Sequence, residues 1–260
     1  MSKVATAITD GVVDVPGGGL LSRVSYLIFE RADRDSRAHL AAAAQFDAAW
    51  RLRSLHHIAT ALKQLHAQNI AHQDVKPSNV LVFGDTSKIA DLGRASQMGI
   101  IAPHDGEPFA GDPQYTPIEV CYGHVDPEWR RQRLGADLYL FGSLIHFFFA
   151  QVAMTPATLA LLAPPHWPIH WGDSYAAVLP YVRNAFDNAC SDFQIVAQQF
   201  VKNDAAELTT LLRYLCEPDP ALRGHPLNRR NAATQFSVER FISRLDVLAG
   251  KAELGFFKMS

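Results

Sequence analysis

Cysteine is scarce in this chain, and an excess of either charge is missing. The 260 residues include three cysteines, Cys121, Cys190 and Cys216, widely spaced and without a C-x-x-C pair. That argues against a disulfide framework or a thiolate zinc site and points to a reducing compartment, the cytoplasm. Basic residues number 24 and acidic residues 26, so no global field favours nucleic acid or an anionic membrane, and neither is expected as a partner. No internal repeat or low-complexity tract is evident. The opening residues, MSKVATAITDGVV, lack a basic region followed by a continuous apolar stretch, so no secretory signal is expected. Long apolar runs are missing too. The most apolar, Leu138–Met154, is interrupted by Gly142, Ser143, His146 and Gln151 and reads as a buried core helix.

What is present is a chain long enough for one good core or two small lobes sharing a hinge. Residues 1–24 are weakly patterned, with a short strand and a glycine-rich turn in VVDVPGGGLL. Val24–Phe29 reads as a strand, and ERADRDS after it as a loop. From Phe46 to Ala67 the pattern is helical, with Leu55, Ile58, Ala59, Leu62 and Leu65 on one face. Asp47 is its expected N-cap, and Asn69 sits where a left-handed C-terminal residue belongs. VLVF and SKIA, joined by GDTS, read as a hairpin, and residues 93–118 as an extended loop. From Asp137 onward helices dominate, broken at 163–173 and 216–226. The order implies an α+β chain with a helical C-terminal half.

The chemistry concentrates in IAHQDVKPSNVLVFGDTSKIADLGRAS, residues 70–96. Asp74 and Asn79 fall in the loop before the hairpin, and Asp91 ends it. A hairpin returns the chain to its start, so Asp91 can approach Asn79 and Asp74. An amide oxygen and a carboxylate are hard ligands that suit Mg²⁺, with water and phosphate completing its shell. Asp74 can accept a proton from a hydroxyl, and Lys76 can neutralise charge on a phosphoryl group. Taken singly, each of these is equally a turn residue; taken together, turn chemistry does not explain them.

HQDVKPSN and DLG resemble the catalytic and metal-binding loops of the protein kinase family. The resemblance implies that Asp74 is the catalytic base, that Lys76 contacts the γ-phosphate, and that Asn79 and Asp91 hold magnesium. Lys76 followed by Pro77 is similar to the serine/threonine-specific loop. GDPQYTPIE (111–119) resembles the end of the family's activation segment, which implies a pair between Glu119 and a buried arginine, Arg223. GADLYLFGSLI (135–145) resembles the start of the central large-lobe helix, with Asp137 accepting catalytic-loop N–H groups. His72 is then expected to bond the backbone near Asp91. SYLIFERAD (25–33) resembles the last small-lobe strand and the hinge, with Phe29 as gatekeeper and the backbone of Glu30 and Ala32 meeting the adenine. The implied architecture is a kinase-like fold: residues 1–33 a remnant small lobe and hinge, 34–250 the large lobe, 251–260 a tail.

Departures from the family pattern carry expectations of their own. PGGG at 16–19 lacks the G-x-G-x-x-G spacing and reads as a turn between strands, and Lys3 is the only lysine before the hinge. No strand lysine or partner glutamate is therefore assigned, and a truncated small lobe is expected. Gln73 stands where the family has the arginine that reads a phosphorylated activation loop, and Ser96 is the only hydroxyl side chain between Leu92 and Ala110. Switching by phosphorylation of that loop is not expected. Asp112 replaces the usual threonine; it can bond Lys76 but is expected to repel Asp74. Trp167 and Trp171 read as a packed loop, with a partner surface as the alternative.

The function implied first is transfer of the γ-phosphoryl group of ATP, with Mg²⁺, to Ser or Thr of a protein. A kinase-like scaffold is the second reading, favoured by the short start and opposed by retention of Asp74, Lys76, Asn79 and Asp91 together. A small-molecule phosphotransferase ranks last. A truncated or split kinase, with a partner supplying the missing elements, stays open.

Overall fold

The computed structural model describes residues 1–17, 19, 22–42 and 47–255. Gly18, in the PGGG turn, and Phe46, the first residue of the expected helix, lie outside them.

The N-terminal part is a hairpin of β1 (Ala7–Asp14) and β2 (Arg23–Phe29), antiparallel, with Val12 opposite Ser25 and a bulge between Ala7 and Thr9. The expected strand at Val24–Phe29 is there; the first strand starts earlier than its weak pattern implies. Residues 3–5 then run along the body, where Ile89 donates its N–H to the Lys3 carbonyl and Ala5 donates to the Ile89 carbonyl. After β2, β3 (Arg34–Asp35) and α1 (Ser36–Ala42) occupy part of what reads as loop in the sequence. The Asp35 carboxylate accepts from Ala38 N–H at 2.8 Å, so a polar loop ends in a capped helix.

α2 (Ala48–His66) begins at Asp47, whose side chain accepts from Trp50 N–H. Leu52, Leu55, Ile58, Ala59, Leu62 and Leu65 are buried. Asn69 takes φ +53°, the left-handed stop expected of it. β4 (Ile70–Ala71) pairs with β7 (Ser96–Gln97), and β5 (Val80–Phe83) and β6 (Thr86–Ile89) form the expected hairpin. β5 also pairs with β3, Arg34 opposite Val82, which brings Arg34 and Asp35 beside the strand that follows Asn79.

A short helix α3 (Ile118–Cys121) and a π-turn (Arg130–Leu134) lead into α4 (Gly135–Ala150), whose residues are almost all buried. A helix apolar all round needs neighbours all round: α2, α5 (Met154–Ala160), α6 (Tyr175–Val201) and α7 (Ala205–Cys216) surround it. Gly142 permits the closest approach, since a Cβ there would lie 2.4 Å from Cys216 Sγ. α8 (Glu239–Glu253) closes against α2. Among the described residues no single helix is long and apolar enough to cross a membrane. The expected α+β architecture with a helical C-terminal part is therefore what the chain forms.

Candidate active site

Asp74 is buried to 6% exposure, and both its oxygens are engaged. Oδ2 accepts from the Asn79 side-chain amide at 2.9 Å and meets Lys76 Nζ at 3.0 Å; Oδ1 accepts from the Asp112 backbone N–H at 3.0 Å. Lys76 also bonds Asp112 Oδ2 at 3.3 Å. Burial opposes the charge on Lys76, but its bonds to Asp74 and Asp112 outweigh that and hold its pKa above the usual lysine value. The expected repulsion between Asp112 and Asp74 does not shape the site. Asp112 offers Asp74 an N–H, and the Lys76 ammonium bonds both carboxylates. Gly111 makes this possible: a Cβ there would lie 2.3 Å from the Gln73 carbonyl oxygen, so only glycine admits the segment this close.

The loop carrying Asp74 is held from below. Asp137, fully buried, accepts the N–H groups of His72 at 2.8 Å and Gln73 at 2.7 Å, and bonds His66 Nε2 at 2.8 Å. His72 Nδ1 accepts from Asp74 N–H, so Nε2 carries the proton it gives to the Ala90 carbonyl at 3.0 Å. Burial lowers the pKa of His72 and favours this neutral form. Ser36 Oγ donates to the Pro77 carbonyl and fixes the turn before Asn79.

Asn79 spends its amide nitrogen on the Asp74 carbonyl and carboxylate, which leaves its oxygen as the acceptor for a further partner. Its backbone carbonyl accepts from Ala90 N–H at 2.8 Å, placing the neighbour of Asp91 against it. Asp91 is exposed, left-handed at φ +64°, and uses Oδ1 to accept from Gly93 N–H. Asp74, Lys76, Asp91 and Asp112 line one cleft of about 570 Å³ with Gly93, Arg94 and His104. An amide oxygen and a free carboxylate oxygen beside a cleft of that size fit a magnesium ion carrying a phosphate tail. The four residues singled out in the sequence are thus brought together.

The expected hinge residues stand apart from that cleft. Phe29 ends β2 and is exposed. Glu30 bonds Thr6 through both its N–H and its carboxylate, which is also tied to Lys88 at 2.6 Å. Ala32 lines a second cleft with Arg31, Asp33, Arg34 and His39. Lys3 is anchored by its backbone to Gln64 and Ile89.

Glu119 and Arg223 form a buried two-pronged pair at 2.8 and 2.7 Å, as the family resemblance implies. Ser96 is buried, donating to Asp105 Oδ1 and accepting from Trp129 Nε1. Trp167 and Trp171 spend their indole N–H groups on carbonyls of their own loop, Leu162 and Ser174. Gly111 and Arg133 are the residues that sequence reasoning passed over. Gly111 had a visible signal, a glycine opening the 111–119 motif; Arg133 had none.

A model of the protein kinase domain matches residues 12–156. The Drosophila melanogaster membrane-associated tyrosine- and threonine-specific cdc2-inhibitory kinase is 26% identical over 164 residues, 62% of this chain and 24% of that protein. The Arabidopsis thaliana Wee1-like protein kinase is 36% identical over 75 residues, 28% of this chain and 14% of that protein. The Xenopus laevis serine/threonine-protein kinase ULK3 is 37% identical over 94 residues, 34% of this chain and 20% of that protein. The matched stretch therefore spans a quarter or less of each relative.

Proposed function

We propose a phosphoryl-transfer function on one premise: this chain belongs to the protein kinase family. The reaction is transfer of the γ-phosphoryl group of Mg-ATP to a Ser or Thr hydroxyl of a protein. The acceptor oxygen bonds phosphorus as the bridge to the β-phosphate breaks, ADP leaves, and the hydroxyl proton passes to Asp74. Buried at the cleft with an Asp112 N–H on one oxygen, Asp74 is oriented toward an incoming alcohol. Lys76 offsets charge on the moving phosphoryl group. Asn79 and Asp91 would hold Mg²⁺, which would supply charge neutralisation at the phosphate oxygens. Phe29, Glu30 and Ala32 would form the nucleotide's hinge side, a few residues before the Arg34–Asp35 pairing with β5.

The observation that carries this reading is the shared cleft of Asp74, Lys76 and Asp91, with Asn79 bonded to Asp74. Lys76–Pro77 supports the Ser/Thr choice, whereas the Drosophila relative is named for tyrosine and threonine. One feature favours a second reading, a kinase-like scaffold: neither β1 nor β2 carries a lysine to grip the α- and β-phosphates. In either case a protein element supplied in trans can pack on the exposed β1–β2 hairpin. The test is transfer of labelled phosphate from Mg-ATP to a generic protein, followed by identification of the labelled amino acid. Asp74→Asn should lower transfer at least about a hundredfold. Equal, background-level transfer by wild type and variant sinks the kinase reading in favour of the scaffold, and label on tyrosine corrects the acceptor.

A further inference from the structure

Gln73 is a strained residue in a decisive place. It precedes Asp74, is 1% exposed, and holds φ at +65° without being glycine. Such a conformation persists only where its surroundings over-determine it. Its N–H goes to Asp137 Oδ1, its side-chain amide donates to the Arg94 carbonyl at 3.3 Å, and its amide oxygen accepts from Arg133 Nη1 at 2.7 Å.

Arg133 comes from the π-turn before α4 and is 2% exposed. A π-turn displaces side chains from ordinary helical spacing. Beyond Gln73, the guanidinium donates to the carbonyls of Asp105 at 2.8 Å and Glu107 at 3.3 Å through Nη2. It therefore ties the catalytic loop to residues 105–107 through neutral oxygens, which suits a planar fork of donors and no other side chain. The tied stretch is braced on its other side: the Asp105 carboxylate accepts from Ser96 Oγ and Ala102 N–H, both at 2.7 Å. A few residues on, the same stretch delivers Gly111 onto the Gln73 carbonyl and the Asp112 N–H onto Asp74.

We propose that Arg133 is a positioning residue, clamping residues 105–107 to Gln73 so that the segment ending at Asp112 is held over Asp74 with no phosphate group attached. This rests on the reading of Asp74 as the proton acceptor. The clamp uses a cation from the far side of the segment, with its neutral partner in the catalytic loop. The one serine nearby is consumed as a brace and is too buried to be modified without dismantling it.

The experiment pairs hydrogen exchange with kinetics on the full chain, shown by mass spectrometry to be free of phosphate. In wild type the amides of Ala102, Asp105 and Glu107, each hydrogen-bonded here, should exchange slowly; free-loop rates there overturn the clamp. Arg133→Met should speed exchange at these amides at least about tenfold, with α7 unchanged, and lower kcat about tenfold with KM for ATP within about twofold. Gln73→Ala combined with Arg133→Met should lose clearly less than the sum of the two single losses, because the Gln73–Arg133 bond is already gone in either single variant. Losses that add in full, or unchanged exchange in Arg133→Met, overturn the proposal. If Arg133→Met does not fold, the wild-type exchange and Gln73→Ala, which should speed exchange at the same three amides, decide. If wild type transfers no phosphate, the kinase reading falls while the exchange arms still judge the clamp.

Discussion

The β1–β2 hairpin and the helical body around α4 treat apolar side chains in opposite ways. In the hairpin Ile8, Val12, Val13, Tyr26, Leu27 and Ile28 are exposed, Leu27 to 61%. In the body Leu138, Leu140, Phe141, Leu144, Ile145 and Phe148 are at 0% exposure, shielded by helices on every side. Both segments are rich in apolar residues, so composition does not separate them; the number of layers does. A lone two-stranded hairpin has two faces and two edges open to water and is marginal by itself. A helix within a bundle has neither. The residues placed at the reaction lie on the body, which can hold their geometry without help. Phe29 and Glu30, the residues expected to be the hinge, hang from the weaker element.

Breaking the body's buried ion pair should give the largest stability effect. Arg223→Met strands Glu119 at 5% exposure and should cost about 3–5 kcal/mol. It should appear as a lower melting temperature and faster amide exchange in α4 and α7, with little change in the hairpin. An unchanged melt would mean that the pair does not organise the body.

Acid should act on the body next. His57, in α2, accepts from Ser87 N–H through Nδ1. Burial, reinforced by the positive charge of Lys3, His56 and Arg53, pushes its pKa down to about 4. The unfolded histidine, near 6.5, takes up a proton first, so between about pH 6.5 and 4 the unfolded chain holds one that the native chain does not. Stability is then full above the unfolded value and falls as pH drops through this window. The loss from His57 is about 2 kcal/mol once residual contact of the ring with water is allowed for. His72 and His146, also lowered by burial, push the same way. Denaturant unfolding across pH 4–7 measures it, and His57→Gln, which keeps an acceptor for Ser87, should flatten the curve in part. A profile that stays as steep in that variant assigns the effect elsewhere.

The smallest effect belongs to the hairpin. Leu27→Ser should change stability by no more than about 0.5 kcal/mol, because the side chain buries little. It should also reduce binding of a hydrophobic dye. A loss of several kcal/mol would show that the hairpin is packed in solution and end the contrast with the body.

Much of the architecture was legible because local rules and tertiary packing agree. Asp47 caps α2, Asn69 stops the chain after it, and β5 and β6 form the expected hairpin, though its turn is Gly84–Asp85 and not the whole of GDTS. Asp137, His72, Glu119 and Arg223 were legible through their motifs, each of which states a partner at long range. The helix at Ser36–Ala42 escaped notice because its short SRAHLAA pattern depends on the Asp35 cap and on Ser36 meeting Pro77. Asp112 bonds Lys76 as its charge implies, but the charge did not disclose its other contact. Its backbone N–H, which every residue but proline has, is what reaches Asp74.

By itself the sequence determined the kind of chemistry on offer: a carboxylate, an ammonium and an amide spaced along one loop, a second carboxylate at the end of the next hairpin, and an apolar run to build beneath them. Only the tertiary structure decided how these groups share their charge. Lys76 bonds both Asp74 and Asp112, and Arg133 reaches Gln73 from 60 residues away. Side-chain types and spacing follow from chain order. The balance between burial and pairing depends on distances of about 3 Å, which exist only once the helices have packed.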